Sequence, residues 1–264
     1  MSDKLPASND PLPGADRNGR SRGDGGAGQG RRSVVRNAWA FFRYNASAVF
    51  SGRAVYFMVL AAVVFLVVVV LNLVGRGGEF NGQKIYDYLL VPGVLLVFYP
   101  AVFVIQNDRD SGMIETLFGI PDYRYKVWLA RYFTLYVVVA ALVFLLAVFC
   151  RLGLAGFPLG RMVLQTMVPV IFVGSLAFFV ASETGSGLAT AVIMIVVILL
   201  FWLFKGSLAD SPWYLFHNPF TVTNEVRAVL LAKTTVANRL YFIRASIALT
   251  MLALLRLQKR EKFV

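Results

Sequence analysis

The chain has 264 residues, of which 58% are apolar, 14% aromatic and only 15% charged, and its mean hydropathy is +0.67. A soluble domain carries about a quarter charged residues, so this composition indicates an integral membrane protein and excludes fibrous and disulfide-rich secreted proteins. The single cysteine, Cys150, and the single histidine, His217, provide no thiol framework and no cluster at metal-ligand spacing. The net charge of +12 could favour nucleic acid, but its distribution along the chain favours membrane topology. We therefore expect no metal site and no nucleic-acid partner.

Residues 1–33 are rich in Gly, Asp, Arg, Ser and Pro and contain almost nothing large and apolar. Such a segment cannot bury enough apolar surface to offset the entropy lost on ordering, so we predict a disordered basic tail. In residues 34–53 apolar side chains recur at spacings of three and four between arginines, which predicts an amphipathic helix in the membrane interface. The alternative, a continuation of the first membrane span, is less favoured because Arg43 and Asn45 interrupt it.

Six apolar runs follow, and they predict an all-α integral membrane fold with a six-helix transmembrane domain over 54–257 and a cytoplasmic tail at 258–264. About 20 apolar residues span the hydrocarbon layer, and a helix satisfies its backbone groups within one segment. The runs are 54–74, 88–105, 127–150, 162–181, 188–204 and 240–255. Pro92, Pro100 and Pro169 are expected to kink their helices.

The basic residues are distributed unevenly between the two sides of these six runs. With both termini on one side, that side receives 17 of the 26 Lys and Arg residues and the opposite side receives nine. This bias predicts that both termini are cytoplasmic. It also predicts some attraction of the basic segments to anionic lipid headgroups.

The segment 205–239 is then expected on the outer side. Its apolar periodicity predicts one or two short helices that dip partly into the outer leaflet, and an ordinary folded loop is an equal alternative. Paired carboxylates and a Ser/His/Asp set are missing, and every Asp, Glu, Lys and Arg falls near the end of a predicted run. We therefore expect no enzymatic activity and no catalytic residue in this chain.

The segment 107–126 is polar and predicted to be cytoplasmic. On a helical projection Asp108, Ser111, Gly112 and Glu115 share one face, and Leu117 lies roughly opposite. Asp108 and Asp110 are expected at the N-terminal end of this helix, where the dipole favours anions, and Pro121 ends it. The residues alone leave two interpretations open, a surface for a cytoplasmic partner and a capped connector between two spans.

Residues 109–126 resemble the signature of the type-2 ABC transporter permeases. That signature has an acidic and basic start, then Ser-Gly-x-x-Glu-x-Leu, and then a Pro, an Arg and a Lys that enter the third span. The matching residues are Asp110, Ser111, Gly112, Glu115, Thr116, Leu117, Pro121, Arg124 and Lys126. The order of elements is also similar, and Asn218-Pro219 matches a dipeptide common near the start of the family's outer segment.

The resemblance implies the permease subunit of an ATP-driven exporter in the cytoplasmic (inner) membrane. It implies a second permease subunit, identical or different, and a separate cytoplasmic ATPase subunit that binds ATP and Mg²⁺, with no cofactor in this chain. It also implies that the 108–120 helix receives the motion of the ATPase. The residues to which this ATPase-coupling role is carried over are Asp108, Arg109, Asp110, Ser111, Gly112, Glu115, Thr116, Leu117, Pro121, Arg124 and Lys126. The alternative function is a membrane scaffold or assembly subunit without transport of its own.

Overall fold

The computed structural model describes residues 53–76, 80–110, 123–208, 211–221 and 225–258. In these ranges the chain forms helices and connecting turns and no strand. The helices are α1 (Arg53–Arg76), α2 (Gly82–Asp110), α3 (Tyr123–Gly153), α4 (Leu159–Thr184), α5 (Gly187–Leu203), α6 (Lys205–Leu208) and α7 (Glu225–Gln258). The predicted tail at 1–33 and the interfacial helix at 34–53 lie outside the described residues, except that Arg53 begins α1.

Five of these helices, α1 to α4 and α7, are long and apolar enough to cross a membrane. The prediction of an all-α multi-pass membrane protein is therefore confirmed at this level. The fifth apolar run forms α5, which has 17 residues. At a rise of 1.5 Å per residue α5 is about 26 Å long, slightly less than the roughly 30 Å thickness of the hydrocarbon layer.

Helices α2 and α4 form the centre of the bundle and pack most extensively against each other. In the most apolar stretch of each of these two helices over half of the residues are buried. The corresponding share is 17% in α1 and 22% in α7. Helix α1 packs on α2, α5 contacts both central helices, and α3 and α7 pack on α4. Small residues allow the close approach of these helices, because a methyl group on Gly174 would overlap both Val97 and the Tyr136 hydroxyl.

The connection between α4 and α5 is only two residues long. Gly185 adopts the left-handed conformation with φ 63°, and its N–H donates to the Ala181 carbonyl at 2.9 Å, which ends α4. Ser186 then caps α5, since its side chain accepts from the Ala189 N–H at 3.4 Å. The two helices are thus joined by a tight turn.

Helix α7 differs from the prediction for the 205–239 segment. Val226, Val229, Leu230 and Val236 were expected in one or two short helices or in a folded loop, but they lie in the first part of α7, which is continuous over 34 residues. Arg227 and Lys233 between them do not interrupt the helix, because both residue types have high helix propensity. The last apolar run therefore begins well before residue 240, and α6 with the irregular 211–221 segment precedes it.

Candidate functional site

The 108–120 segment does not begin a new helix at Asp108. Helix α2 continues to Asp110, so Asp108, Arg109 and Asp110 lie in its last turn. The expectation that Asp108 and Asp110 occupy a helix N-terminus is therefore wrong, because no helix-breaking residue stands between the apolar run and Ser111. At a C-terminal end the dipole favours the Arg109 cation rather than the carboxylates.

The remaining coupling residues are only partly covered by the structure. Ser111, Gly112, Glu115, Thr116, Leu117 and Pro121 lie outside the described residues, while Arg124 and Lys126 lie in the first turn of α3. The helices on either side of the segment meet at one end of the bundle. There a buried cluster joins α2, α3, α4 and α7, through Ile105, Trp128, Phe178, Ala181, Ala253, Leu254 and Leu257.

The α4–α5 turn belongs to the same end, which we call the turn end. The Gly187 N–H donates to Gln106 Oε1 of α2 at 2.8 Å, and Gly187 lies so close to the Phe103 ring that a Cβ would overlap it. At the same end, Glu183 of α4 forms an ion pair of 2.8 Å with Arg256 of α7. Helix α2, which precedes the predicted coupling segment, is therefore tied to α5 at the turn end, and α4 is tied to α7.

A group of hydroxyls connects α3, α4 and α7 inside the bundle. The Tyr132 hydroxyl lies 2.5 Å from Ser175 Oγ and 2.8 Å from the Tyr136 hydroxyl. Thr250 of α7 donates to the same Tyr132 oxygen at 3.1 Å. Their polar groups thus satisfy one another in an apolar surrounding. Because all members are neutral, the group provides shape and orientation rather than charge.

Arg131, beside this group, is 5% exposed. Its guanidinium carbon lies 6.0 Å from the centroid of the Trp128 ring, within the range of a cation–π contact. A small cavity adjoins it, lined almost wholly by apolar atoms of α2, α3 and α4. Arg131 is therefore a buried cation inside the bundle. The positions of the apolar runs did not predict its burial.

The most connected ionised residue lies at the opposite end of the bundle. Arg239 is 7% exposed, and its Nε donates to Gln165 Oε1 of α4 at 2.7 Å. One terminal nitrogen donates to Asn238 Oδ1 at 3.0 Å. The other donates to the Tyr86 hydroxyl of α2 at 2.9 Å and to the His217 carbonyl at 3.2 Å. We call this the Arg239 end.

The depth of Arg239 follows from the helices that contact it. Tyr86 is the fifth residue of α2 and Gln165 the seventh of α4. The guanidinium therefore lies about 6–9 Å inside the ends of these helices. The four acceptors that surround the guanidinium are neutral, so within the described part of the chain the cation is held by dipoles.

The irregular 211–217 segment is fastened to α7 beside Arg239. Asn238 Nδ2 donates to the carbonyls of Pro212 and Tyr214 at 2.8 and 2.9 Å. His217 Nε2 lies 2.9 Å from Thr235 Oγ1. Burial raises the pKa of the Tyr214 phenol above its ordinary value, and the Asp87 carboxylate adds to the increase.

The Asn218-Pro219 dipeptide has a defined place at the same end. Asn218 Nδ2 donates to the Gln83 carbonyl and to Asp87 Oδ1 of α2, each at 2.9 Å, while its Oδ1 accepts from the Phe220 N–H. The asparagine side chain thus holds the loop against the first turns of α2. These hydrogen bonds within the chain account for an asparagine at this position.

The buried environment of Arg239 was not predicted from the sequence, which placed this residue at the end of an outside segment. A signal for it was present. Thr235, Asn238 and Arg239 lie three and four residues apart, so they share one face of a helix. A polar stripe on one face of a helix in a membrane protein indicates an internal hydrogen-bonded contact.

Within the described ranges no group of three or more His, Cys, Asp or Glu side chains could hold a metal ion. Comparison with protein-family models, with curated proteins and with solved structures finds no match to this chain.

Proposed function

We propose that this chain is the permease subunit of an ATP-driven exporter of the type-2 ABC class. In this proposal it crosses the cytoplasmic membrane six times with both termini in the cytoplasm, and α5 is the fifth span. The observation that carries the proposal is the sequence motif at 109–126, which stands between two membrane-length helices. The number and order of the apolar helices support it.

The slightly short α5 is compatible with a sixth crossing. Its 17 residues carry no charge, and bilayers thin locally to accommodate a mismatch of a few ångströms at modest cost. Helix α5 also packs on the two central helices α2 and α4, and Gly187, Thr190 and Met194 are buried in this contact.

The proposed mechanism has two such subunits that form the translocation path, each docked to a separate ATPase that binds ATP and Mg²⁺. Motion of the ATPase would enter through the 108–120 segment. The contacts at the turn end support this route, since the Gln106–Gly187 hydrogen bond and the Glu183–Arg256 ion pair connect α2 with α5 and α4 with α7 close to that segment. A displacement at the end of α2 would therefore be felt by the helices packed around it.

The proposal is tested by Glu115→Ala. A carboxylate that bonds donors on an ATPase contributes on the order of 1.5–3 kcal/mol, so we expect substrate-stimulated ATPase activity or transport to fall about tenfold or more. Insertion and dimerisation should stay normal. The matched control is Glu79→Ala, an acidic residue between α1 and α2 that the proposal places on the other side of the membrane.

Two results would contradict the proposal. One is unchanged coupling in a well-folded Glu115→Ala protein. The other is a native membrane complex from which this chain purifies without an ATPase that carries G-x-x-x-x-G-K-[ST], which would favour the scaffold function.

A further inference from the structure

Two segments at the Arg239 end are joined by several contacts, and we call them together the cap: residues 211–217 and the 235–241 part of α7. The contacts that join them are the Asn238 bonds to the Pro212 and Tyr214 carbonyls, the His217–Thr235 contact, and the Trp213 ring stacked 4.6 Å from the Tyr241 ring. These contacts lie within the cap, so they persist if the cap moves as a body.

Arg239 provides the cap's charged contact with the two central helices. Its guanidinium reaches Tyr86 on α2 and Gln165 on α4 at 2.9 and 2.7 Å. It also donates to the His217 carbonyl within the cap at 3.2 Å. One side chain therefore joins the irregular segment, α7 and both central helices.

The chemistry of this contact suits an interaction that opens. A buried cation is expensive to desolvate, and an apolar side chain of similar volume usually packs as well or better. Neutral acceptors hold a guanidinium more weakly than a carboxylate does, and water reproduces such hydrogen bonds at small cost.

We propose that Arg239 is a latch that holds the cap against α2 and α4 and whose release lets the cap move as one body. The motion requires α7 to bend beyond Tyr241, because contacts hold the C-terminal half of this helix in place. Ala253 and Leu257 are buried there among α2, α3 and α4, and Arg256 is paired with Glu183. The latch is a property of this chain's fold and does not depend on the proposed transport function.

The test uses cysteine labelling of the full chain in membranes. Cys150 is the single cysteine, so Cys150→Ala gives a background without thiols. Leu215→Cys then reports on the cap, because Leu215 is 1% exposed in the closed structure. Ala253→Cys reports on the contacts of α7 at the turn end, because Ala253 is buried there. The reagent is a small maleimide.

The latch variant is Arg239→Gln, and its matched control is Arg244→Gln, an exposed arginine on the same helix. We expect Arg239→Gln to raise the labelling rate at Leu215→Cys by about tenfold, because the cap opens more often when the charged contact is lost. Labelling at Ala253→Cys should not change, and Arg244→Gln should alter neither rate.

An unchanged rate at Leu215→Cys would overturn the proposal, and so would a parallel rise at both reporters, which indicates general loosening of the fold. If Arg239→Gln does not accumulate, Tyr86→Phe removes one acceptor and keeps the packing. This variant should raise only the cap rate, by about threefold, since a single neutral partner is lost. No rise in Tyr86→Phe would then assign Arg239 a purely structural role.

Discussion

Gly174 lies in the contact of α4 with α2 and α3. Its missing side chain makes room for Val97 on one side and for the Tyr136 hydroxyl on the other. The position therefore matters for the distance between helices rather than for backbone conformation. Gly160, on the same helix, has no heavy atom within 4 Å of the place that a methyl group would occupy. A comparison of alanine substitutions at the two glycines therefore distinguishes the effect of packing from the effect of helix propensity.

We expect Gly174→Ala to lower the free energy of unfolding by about 1–3 kcal/mol, because the added methyl forces α3 or α2 away from α4. Gly160→Ala is the control and should be neutral or stabilising by up to about 1 kcal/mol, since alanine has the higher helix propensity. Thermal unfolding of both purified variants in one detergent measures the difference. Equal stability of the two variants would contradict the packing described for Gly174.

At the scale of elements, the hydroxyl group fixes how α3, α4 and α7 sit together. Tyr132 is its central member, with Ser175, Tyr136 and Thr250 all within 3.1 Å of its oxygen. Removing that oxygen takes a hydrogen-bond partner from hydroxyls on three helices. The cost falls on the contacts between helices, not on any single helix.

Tyr132→Phe is therefore expected to destabilise the protein by about 0.5–1.5 kcal/mol, the usual net contribution of a hydrogen bond, because Tyr136, Ser175 and Thr250 each keep a hydrogen bond to a backbone carbonyl. The control is Tyr56→Phe, since Tyr56 is 75% exposed. Chemical or thermal unfolding that shows the same stability for both would mean that the hydroxyl group does not join the helices.

The elements also show what the sequence could and could not predict. Each of the six apolar runs falls on a helix, because length and apolar composition are sufficient to indicate one. The start of α7 was missed since arginine and lysine are good helix formers and can continue a helix beyond its apolar run. The end of α2 was missed because its polar last turn, Asp108–Asp110, likewise continues the helix past the apolar residues. The burial of Arg239 depends on Tyr86 and Gln165, which lie far away in sequence, so no local pattern could identify these partners.

For the whole molecule, the surface of the bundle is largely apolar. Exposed valines, leucines and isoleucines cover α1, α5 and α7, as expected for helices that face lipid tails or a second subunit. The apolar surface does not determine which way the chain is oriented in the membrane. The presence of basic residues alone does not determine it either, because both ends of the bundle carry them. It depends on their numbers, 17 on the side of the termini against nine on the other.

We accordingly expect both termini in the cytoplasm. A reporter that is active only in the cytoplasm should be active when fused after Val264, and the same reporter inserted between residues 208 and 211 should be inactive. The reverse pattern would contradict the orientation and, with it, the cytoplasmic placement of the 108–120 segment.

The turn at Gly185 and Ser186 has a consequence for biosynthesis. In the proposed six-span topology, the connection of only two residues means that α4 and α5 enter the bilayer as a hairpin. Helix α5 would then determine the side on which the chain after it emerges. If its 17 apolar residues failed to insert, the chain would continue on the wrong face of the membrane and α7 would cross in the inverted direction. The complete absence of charge in α5 is therefore a safeguard for the topology of the last helix.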